Sequence, residues 1–270
     1  MLCDILSEIG LQDRLMQADQ IIGALRQRKT PAELERMKRA IAETERIFAE
    51  VVPFIRPGRS EREIADFMKD RANGRKISFA WDERVCPGVF TGPDTAAAHY
   101  TPTDRKVEEG HILNMDFGLK VEGYCSDLQR TFYSPRKGER AVPPEVQRGF
   151  DTIVRAIEES RGAMRPGVTG QSVDAVARRV ITGSGYEEFP HGLGHQVGRF
   201  AHDGTALLGP AWEKYAGKPF VPLEEGMVFT LEPRLTVPGR GIATVEEMVV
   251  VRADGAEYLS TPQEALILAG

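Results

Sequence analysis

The sequence predicts an α+β domain built from two similar halves, with a cleft where their sheets meet, and three observations carry that prediction. The stretches "FIRPGRSEREIA" (54–65) and "AMRPGVTGQSVD" (163–174) share an apolar residue, Arg-Pro-Gly, a hydroxyl residue two places on and an aliphatic residue beyond, offset by 109 positions throughout. An amphipathic helix precedes each copy. Strand-like segments follow each, at 112–133 in the first half and near 190–199, 226–232 and 242–252 in the second. Repetition of this kind marks duplication of one supersecondary unit, here helix, Pro-Gly break, capped helix and strands.

The elements follow in order. Residues 1–29 scatter Ile5, Ile9, Leu11, Leu15, Ile21, Ile22 and Leu25 without recognisable chemistry and read as a helical lead-in. Thr30-Pro31-Ala32-Glu33 is a capping box with proline at the first helical position, and Leu34, Met37, Ile41, Phe48, Val51 and Ile55 continue at helical spacing up to Pro57-Gly58. Ser60 with Glu63 opens a second helix through Ile64, Phe67 and Met68. In the second half a helix spans roughly 144–164, with Val146, Phe150, Val154 and Ile157 inward.

Composition narrows the function. The 270 residues and 41% hydrophobic content suit one large domain or two small ones. The acidic start "MLCDILSEIG" lacks the basic residues of a secretory signal, and no apolar run approaches the roughly 18 residues of a membrane span. A cytoplasmic protein is expected. Cys3, Cys86 and Cys125 have no metal-type spacing and read as free, buried thiols in a reducing compartment. A net charge of -5 without a long basic run argues against nucleic acid as partner.

The chemistry begins at "ILNMDFGLKVEGYCSDLQRTF" (112–132), two strands around a turn at Glu122-Gly123. Leu113, Met115, Phe117 and Leu119 alternate with Asn114, Asp116 and Gly118, giving one core face and one polar face. The expectation is that the hairpin sets Asp116 and Asp127 across from each other, a repulsive pairing unless a cation lies between them. "FPHGLGHQVG" supplies His191 and His195, two of only five histidines, and its glycines favour a strand or loop over a helix. Glu232 ends an apolar strand before Pro233. Glu246 sits inside another, where a charge is costly unless paired or metal-bound, while Glu247 points the other way and is expected to be solvated or salt-bridged.

Asp116, Asp127, His195, Glu232 and Glu246, with "MDFG", "SDLQRT", "HGLGH", "TLEP" and "VEE" around them, together resemble the pita-bread metallopeptidases, which include methionine aminopeptidases, Xaa-Pro aminopeptidases and prolidases. The resemblance covers residues 30–270 as the catalytic domain and leaves 1–29 as lead-in or remnant of an N-terminal domain. It implies the pita-bread (creatinase/aminopeptidase) fold, two pseudo-symmetric halves around an antiparallel sheet. It also implies two divalent metal ions, with Asp127 and Glu246 bridging them, Asp116 completing one shell, and His195 and Glu232 the other. Four carboxylates and one imidazole suit manganese first, with cobalt or zinc as alternatives. A metal-bridging hydroxide would be the nucleophile, with Glu232 taking the proton of its parent water. His191 and His202 would contact substrate and the tetrahedral intermediate, and His99 would lie near the scissile nitrogen. His111 matches no functional motif.

Within that group, His191 fits the "HxxGH" pattern of the proline-specific branch, and His202-Asp203 leans the same way. The length leans toward methionine aminopeptidases. Thr244 also departs from the proline-specific branch, many of whose members have arginine two places before the last glutamate, so recognition of a free carboxylate or stabilisation of the ligand shell must come from elsewhere. The expectation is a metal-dependent exopeptidase acting on short peptides with proline in second position, its dipeptidase or aminopeptidase mode and a homodimeric state both open. The alternatives are a methionine aminopeptidase and, from another class, a non-catalytic pita-bread binding module. A metal-free hydrolase on this fold is a further reading, set aside because relatives of that kind replace the acidic ligands kept here.

Overall fold

A computed structural model describes residues 2–16, 18–93 and 101–270, so His99 lies outside the described residues. Two short helices, α1 (Leu2–Glu8) and α2 (Asp19–Gln27), form the lead-in. Its apolar side chains stay largely in solvent: Ile5 is 52% exposed, Ile21 66% and Leu25 73%. Cys3 is exposed too, unlike the buried Cys86 and Cys125, so the expectation of three buried thiols fails where the lead-in lies outside the core. Polar contacts still tie α2 to the main body. Arg26 pairs with the buried Asp203 at 2.5 Å, and the Gln27 side-chain oxygen accepts from the Thr205 hydroxyl at 2.8 Å.

Both predicted capping boxes form. Thr30 and Glu33 open α3 (Pro31–Val51), and Ser60 and Glu63 open α4 (Glu61–Gly74). The regular helix stops before Ile55 because Pro53 turns residues Val52–Phe54 into a single tighter turn. The second half repeats the plan with α5 (Pro144–Ala163) and α6 (Gly170–Gly183), the latter opened by Thr169. The copies agree in detail. Each second helix has 14 residues at the 109 offset. Gly58 N donates to Val107 O at 2.9 Å, and its counterpart Gly167 N donates to Leu223 O at 2.9 Å.

The strands of the first half are β1 (Ser78–Phe79), β2 (Gly88–Thr91), β3 (Ile112–Phe117), β4 (Leu119–Val121), β5 (Tyr124–Cys125) and β6 (Leu128–Tyr133). Those of the second are β7 (Gly194–His195), β8 (Leu207–Leu208), β9 (Val228–Leu231), β10 (Arg234–Val237), β11 (Gly241–Thr244), β12 (Glu247–Arg252), β13 (Gly255–Tyr258) and β14 (Ile267–Leu268). One sheet runs β14-β6-β3-β2 and another β13-β12-β9. β14 adds to β6 in parallel, and the other ladders are antiparallel. Alternation along β12 explains its unbroken apolar run: Met248 and Val250 enter the core beneath α3 and α4, while Val249 and Val251 enter the core beneath α5 and α6. Among the described residues no helix is long and apolar enough to cross a membrane.

The hairpin closes symmetrically on Glu122-Gly123, but the two aspartates do not face each other: that closure sets Asp116 opposite Gln129, six residues out from the turn on each side, and leaves Asp127 a diagonal neighbour two positions nearer the turn. The ladder also breaks at Gly118, where a Cβ would stand 2.3 Å from Ser126 O, and Asp127 falls just outside β6. The polar face is not solvated either. It packs on the second half: Asn114 donates to Ile242 O at 2.7 Å, and Thr244 N donates to the Thr131 hydroxyl at 3.2 Å. Glu246 sits in the break between β11 and β12 rather than inside a strand, joined to Gln129 by an isolated bridge.

Lys29 closes the lead-in against this body, its N–H donating to Gly226 O at 2.8 Å and its ammonium to Gln27 O at 3.3 Å. Burial lowers its pKa from 10.5 to about 8, with Asp203 and Glu33 opposing that fall and Arg26 adding to it. Between pH 8 and 10.5 the unfolded chain therefore holds a proton that the folded chain has lost, and this group makes stability rise with pH. Urea unfolding of wild type and Lys29→Met from pH 7.5 to 9.5 should show the wild type gaining on the variant by up to about 1.4 kcal/mol per pH unit.

Candidate metal centre

The five residues read from the sequence as ligands meet at the seam between the halves, in a cavity of about 580 Å³ lined by all five. Asp116 comes from β3 and Asp127 from the kink before β6, while β7 brings His195 and the end of β9 brings Glu232. Glu246 enters from the break between β11 and β12.

Backbone constraints aim each group. His195 lies on β7, whose Gly194 passes so close to β9 that a Cβ there would be 1.9 Å from Thr230 O. The His195 N–H donates to the Thr230 hydroxyl at 3.1 Å, and Thr230 in turn lies 3.3 Å from Glu232 Oε1. His195 Nδ1 faces Gln196 O at 3.4 Å, and Nε2 faces Glu232 at 3.4 Å and Asp127 at 3.7 Å. A proton on Nδ1 would leave Nε2 as the coordinating atom.

Electrostatics makes the cluster strained without a cation. Asp127 is 5% exposed and Glu246 1%. Burial, then the charges of Asp116 and Glu232, push the Asp127 carboxyl well above its usual range. Burial, then Asp127, Glu232 and Asp116, do the same to Glu246. Burial alone raises Asp116 to about 7, and burial with the charge of Asp116 raises Glu232 to about 8. Asp116 Oδ1 and Glu246 Oε2 are buried with no hydrogen-bond partner among the described residues. Asp127, His195 and Glu246 each offer a ligand atom within 4.8 Å of the others. Orphaned carboxylate oxygens converging with an imidazole are what a divalent ion requires.

Glu247 is the salt-bridged residue the sequence suggested, although buried rather than solvated: it pairs with Arg130 at 3.1 Å and accepts from Gln263 N at 2.8 Å. Arg130 also donates to Glu246 O at 3.0 Å, so this ion pair holds the segment that presents Glu246.

His191 and His202 line the same cavity, and His111 is not among its lining residues. The His202 ring lies 3.9 Å from that of His195. His191 Nδ1 contacts Gly192 O at 2.8 Å, and burial holds its pKa down to about 4, so its imidazole is neutral near pH 7.

The sequence reading missed the groups that fix the His191 loop. Asp174 and Arg178 of α6 form a buried pair at 2.6 Å. Arg178 donates to the carbonyls of Phe189 and His191, Asp174 accepts from Leu193 N at 2.9 Å, and Gly192 N donates to the Tyr215 hydroxyl at 2.9 Å. Their i, i+4 spacing on a helix was the available signal, but the loop they hold is distant from the carboxylates in sequence.

Comparison with known proteins gives a consistent picture. The family model for metallopeptidase family M24 matches residues 35–253. A probable dipeptidase PepE from Mycobacterium tuberculosis is 32% identical over 254 residues, covering 93% of this chain and 63% of that protein, so the chain spans less than two thirds of that relative's length. The crystal structure of dipeptidase PepE from Mycobacterium ulcerans aligns with a TM-score of 0.81 at 31% identity, covering 97% of this chain and 67% of the other. The X-Pro aminopeptidase of Thermotoga maritima aligns with a TM-score of 0.82 at 28% identity, covering 99% of this chain and 78% of the other.

Neutralising one carboxylate should separate its two effects. At pH 8, Glu246→Gln should raise the melting temperature of chelator-stripped protein, by roughly 2–4 °C for each kcal/mol of relieved repulsion. The same substitution should remove the upward shift expected when a divalent ion such as manganese is added to the wild type. Calorimetric scans of both proteins with and without metal check the pair of outcomes.

Proposed function

The chain belongs to metallopeptidase family M24, with its pita-bread fold, and from that premise we propose that it is a two-metal exopeptidase hydrolysing short peptides with proline in second position. The observation that carries the reading is the convergence of Asp116, Asp127, His195, Glu232 and Glu246 on one cavity with carboxylate oxygens left unpartnered. Asp127 and Glu246 would hold both ions, Asp116 one of them, and His195 with Glu232 the other. Manganese is the first choice, cobalt or zinc the alternatives. Such a pair, when bound, supplies acidification of water and neutralisation of the charge that builds on the peptide carbonyl oxygen.

The chain's own residues do the rest. Glu232 takes the proton of the attacking water, and Thr230 steadies the carboxylate that does so. His202, its ring tilted against that of His195, faces the cavity as a donor to the developing oxyanion. A proton on His191 Nδ1, shared with Gly192 O, leaves Nε2 as an acceptor, which suits substrate contact better than proton donation. The role near the scissile nitrogen rests for His99 on the family resemblance alone. Trp81, Val85, Phe90 and Ile242 give the cavity an apolar wall that accepts a pyrrolidine ring. Proline in second position is also supported by the X-Pro aminopeptidase among the similar structures.

Chelator-stripped protein should be inactive on Met-Pro and Ala-Pro and should recover on adding manganese. Release of methionine from Met-Ala-Ser, without cleavage of either proline peptide, would replace this reading by a methionine aminopeptidase. Glu232→Gln should lower kcat roughly 10²–10⁴-fold. Chromatographic assay of the released amino acids measures each outcome.

A further inference from the structure

His195 and His202 belong to one hairpin. His195 pairs with Leu207 across β7 and β8, and the connecting residues 196–206 carry His202. This loop closes on itself through Gln196, whose backbone carbonyl accepts from Asp203 N at 2.8 Å and whose side-chain oxygen accepts from Ala206 N at 2.9 Å. Gln196 directly follows His195, and Asp203 directly follows His202. Both are buried.

The end of α2 grips these two residues from outside the hairpin. Gln27 O accepts from the Gln196 side-chain amide at 3.4 Å, and the Gln27 side-chain oxygen accepts from the Thr205 hydroxyl at 2.8 Å. Arg26 pairs with one Asp203 oxygen at 2.5 Å, and the other oxygen accepts from Arg199 N at 2.6 Å. The Arg26 guanidinium also lies 5.1 Å from the Phe200 ring of the same loop. Ile21, Ile22 and Leu25 stay in solvent, so polar contacts rather than these apolar side chains seat this end of the helix. A carboxylate held out of water is costly once it loses a charged partner, which ties the position of Asp203 to Arg26. The match to the family model begins at residue 35, so the grip comes from a segment that lies before it.

We propose that Arg26 and Gln27 are positioning residues, which hold the loop through Asp203 and Gln196 and thereby aim the His202 imidazole at the reacting carbonyl oxygen. The proposal rests on the peptidase reading above, in which His202 donates to the developing oxyanion, and it makes the lead-in a working part of the catalytic unit. A donor that acts as charge develops contributes to turnover far more than to substrate binding. Misplacing such a group by about 1 Å can cost roughly a hundredfold in rate. Loss of the grip should therefore appear in kcat and not in KM.

The test is a mutant cycle read by Met-Pro hydrolysis with manganese-loaded protein. Arg26→Met should lower kcat roughly tenfold and move KM by less than about twofold, while Arg26→Lys, which can still pair with Asp203, should recover much of the loss. In a His202→Ala background the same Arg26→Met change should cost less than about twofold, because the group it positions is gone. Gln27→Met, which removes the bond to Thr205 and keeps the ion pair, is read in the same cycle and serves if Arg26→Met fails to fold. An equal loss in both backgrounds, a loss confined to KM, or an unchanged kcat beside a lowered melting temperature overturns the proposal. Imidazole proton–nitrogen spectra in the presence of zinc, which is diamagnetic, read the geometry without turnover. Arg26→Met should shift the His202 signals and leave those of His111 in place, and unmoved His202 signals also overturn the proposal. Failure of wild type to cleave any proline peptide would overturn the peptidase reading, and the spectra would still decide whether α2 positions His202.

Discussion

Repulsion among four carboxylates held out of water is the constraint around which this molecule is arranged. Burial raises the proton affinity of Asp116, Asp127, Glu232 and Glu246, and neighbouring charges raise that of Asp127, Glu232 and Glu246 further, so the empty cluster opposes folding. Nothing in the apolar cores relieves it. The surrounding framework must keep the groups converging regardless, and it does so largely with backbone close approaches and ion pairs beside the few direct contacts, such as Thr230 on Glu232. Gly194 lets β7 lie against β9, and Arg130 with Glu247 fixes the segment beside Glu246. A buried ion pair contributes little net stability over an apolar substitute, but loss of one partner is strongly destabilising, on the order of 3–5 kcal/mol. These pairs thus trade stability for a fixed geometry.

Much of the architecture was legible because it rests on local chemistry. The capping boxes at Thr30 and Ser60, the Pro-Gly breaks and the repeated 109 offset each follow from short-range rules, and the corresponding helices form. The five residues that converge on the cavity were legible as well, each from the short motif around it. The register follows from the turn as well, since symmetric closure on Glu122-Gly123 pairs Asp116 with Gln129 and not with Asp127; what no local rule supplies is the break at Gly118, which depends on its close approach to Ser126.

Residues that act through distant partners were the least legible. Asp174 and Arg178 look like an ordinary helical ion pair until α6 is seen beside the loop of His191.

The division of the site between the halves also bears on the order of events during protein synthesis. Asp116 and Asp127 leave the ribosome well before His195, Glu232 and Glu246, and the first-half sheet receives its β14 strand only from residues 267–268. Contacts of such long sequence separation form late and slowly. The cluster is accordingly complete only late in synthesis, and a nascent chain stalled before Glu246 would expose acidic side chains that still lack one of their converging partners.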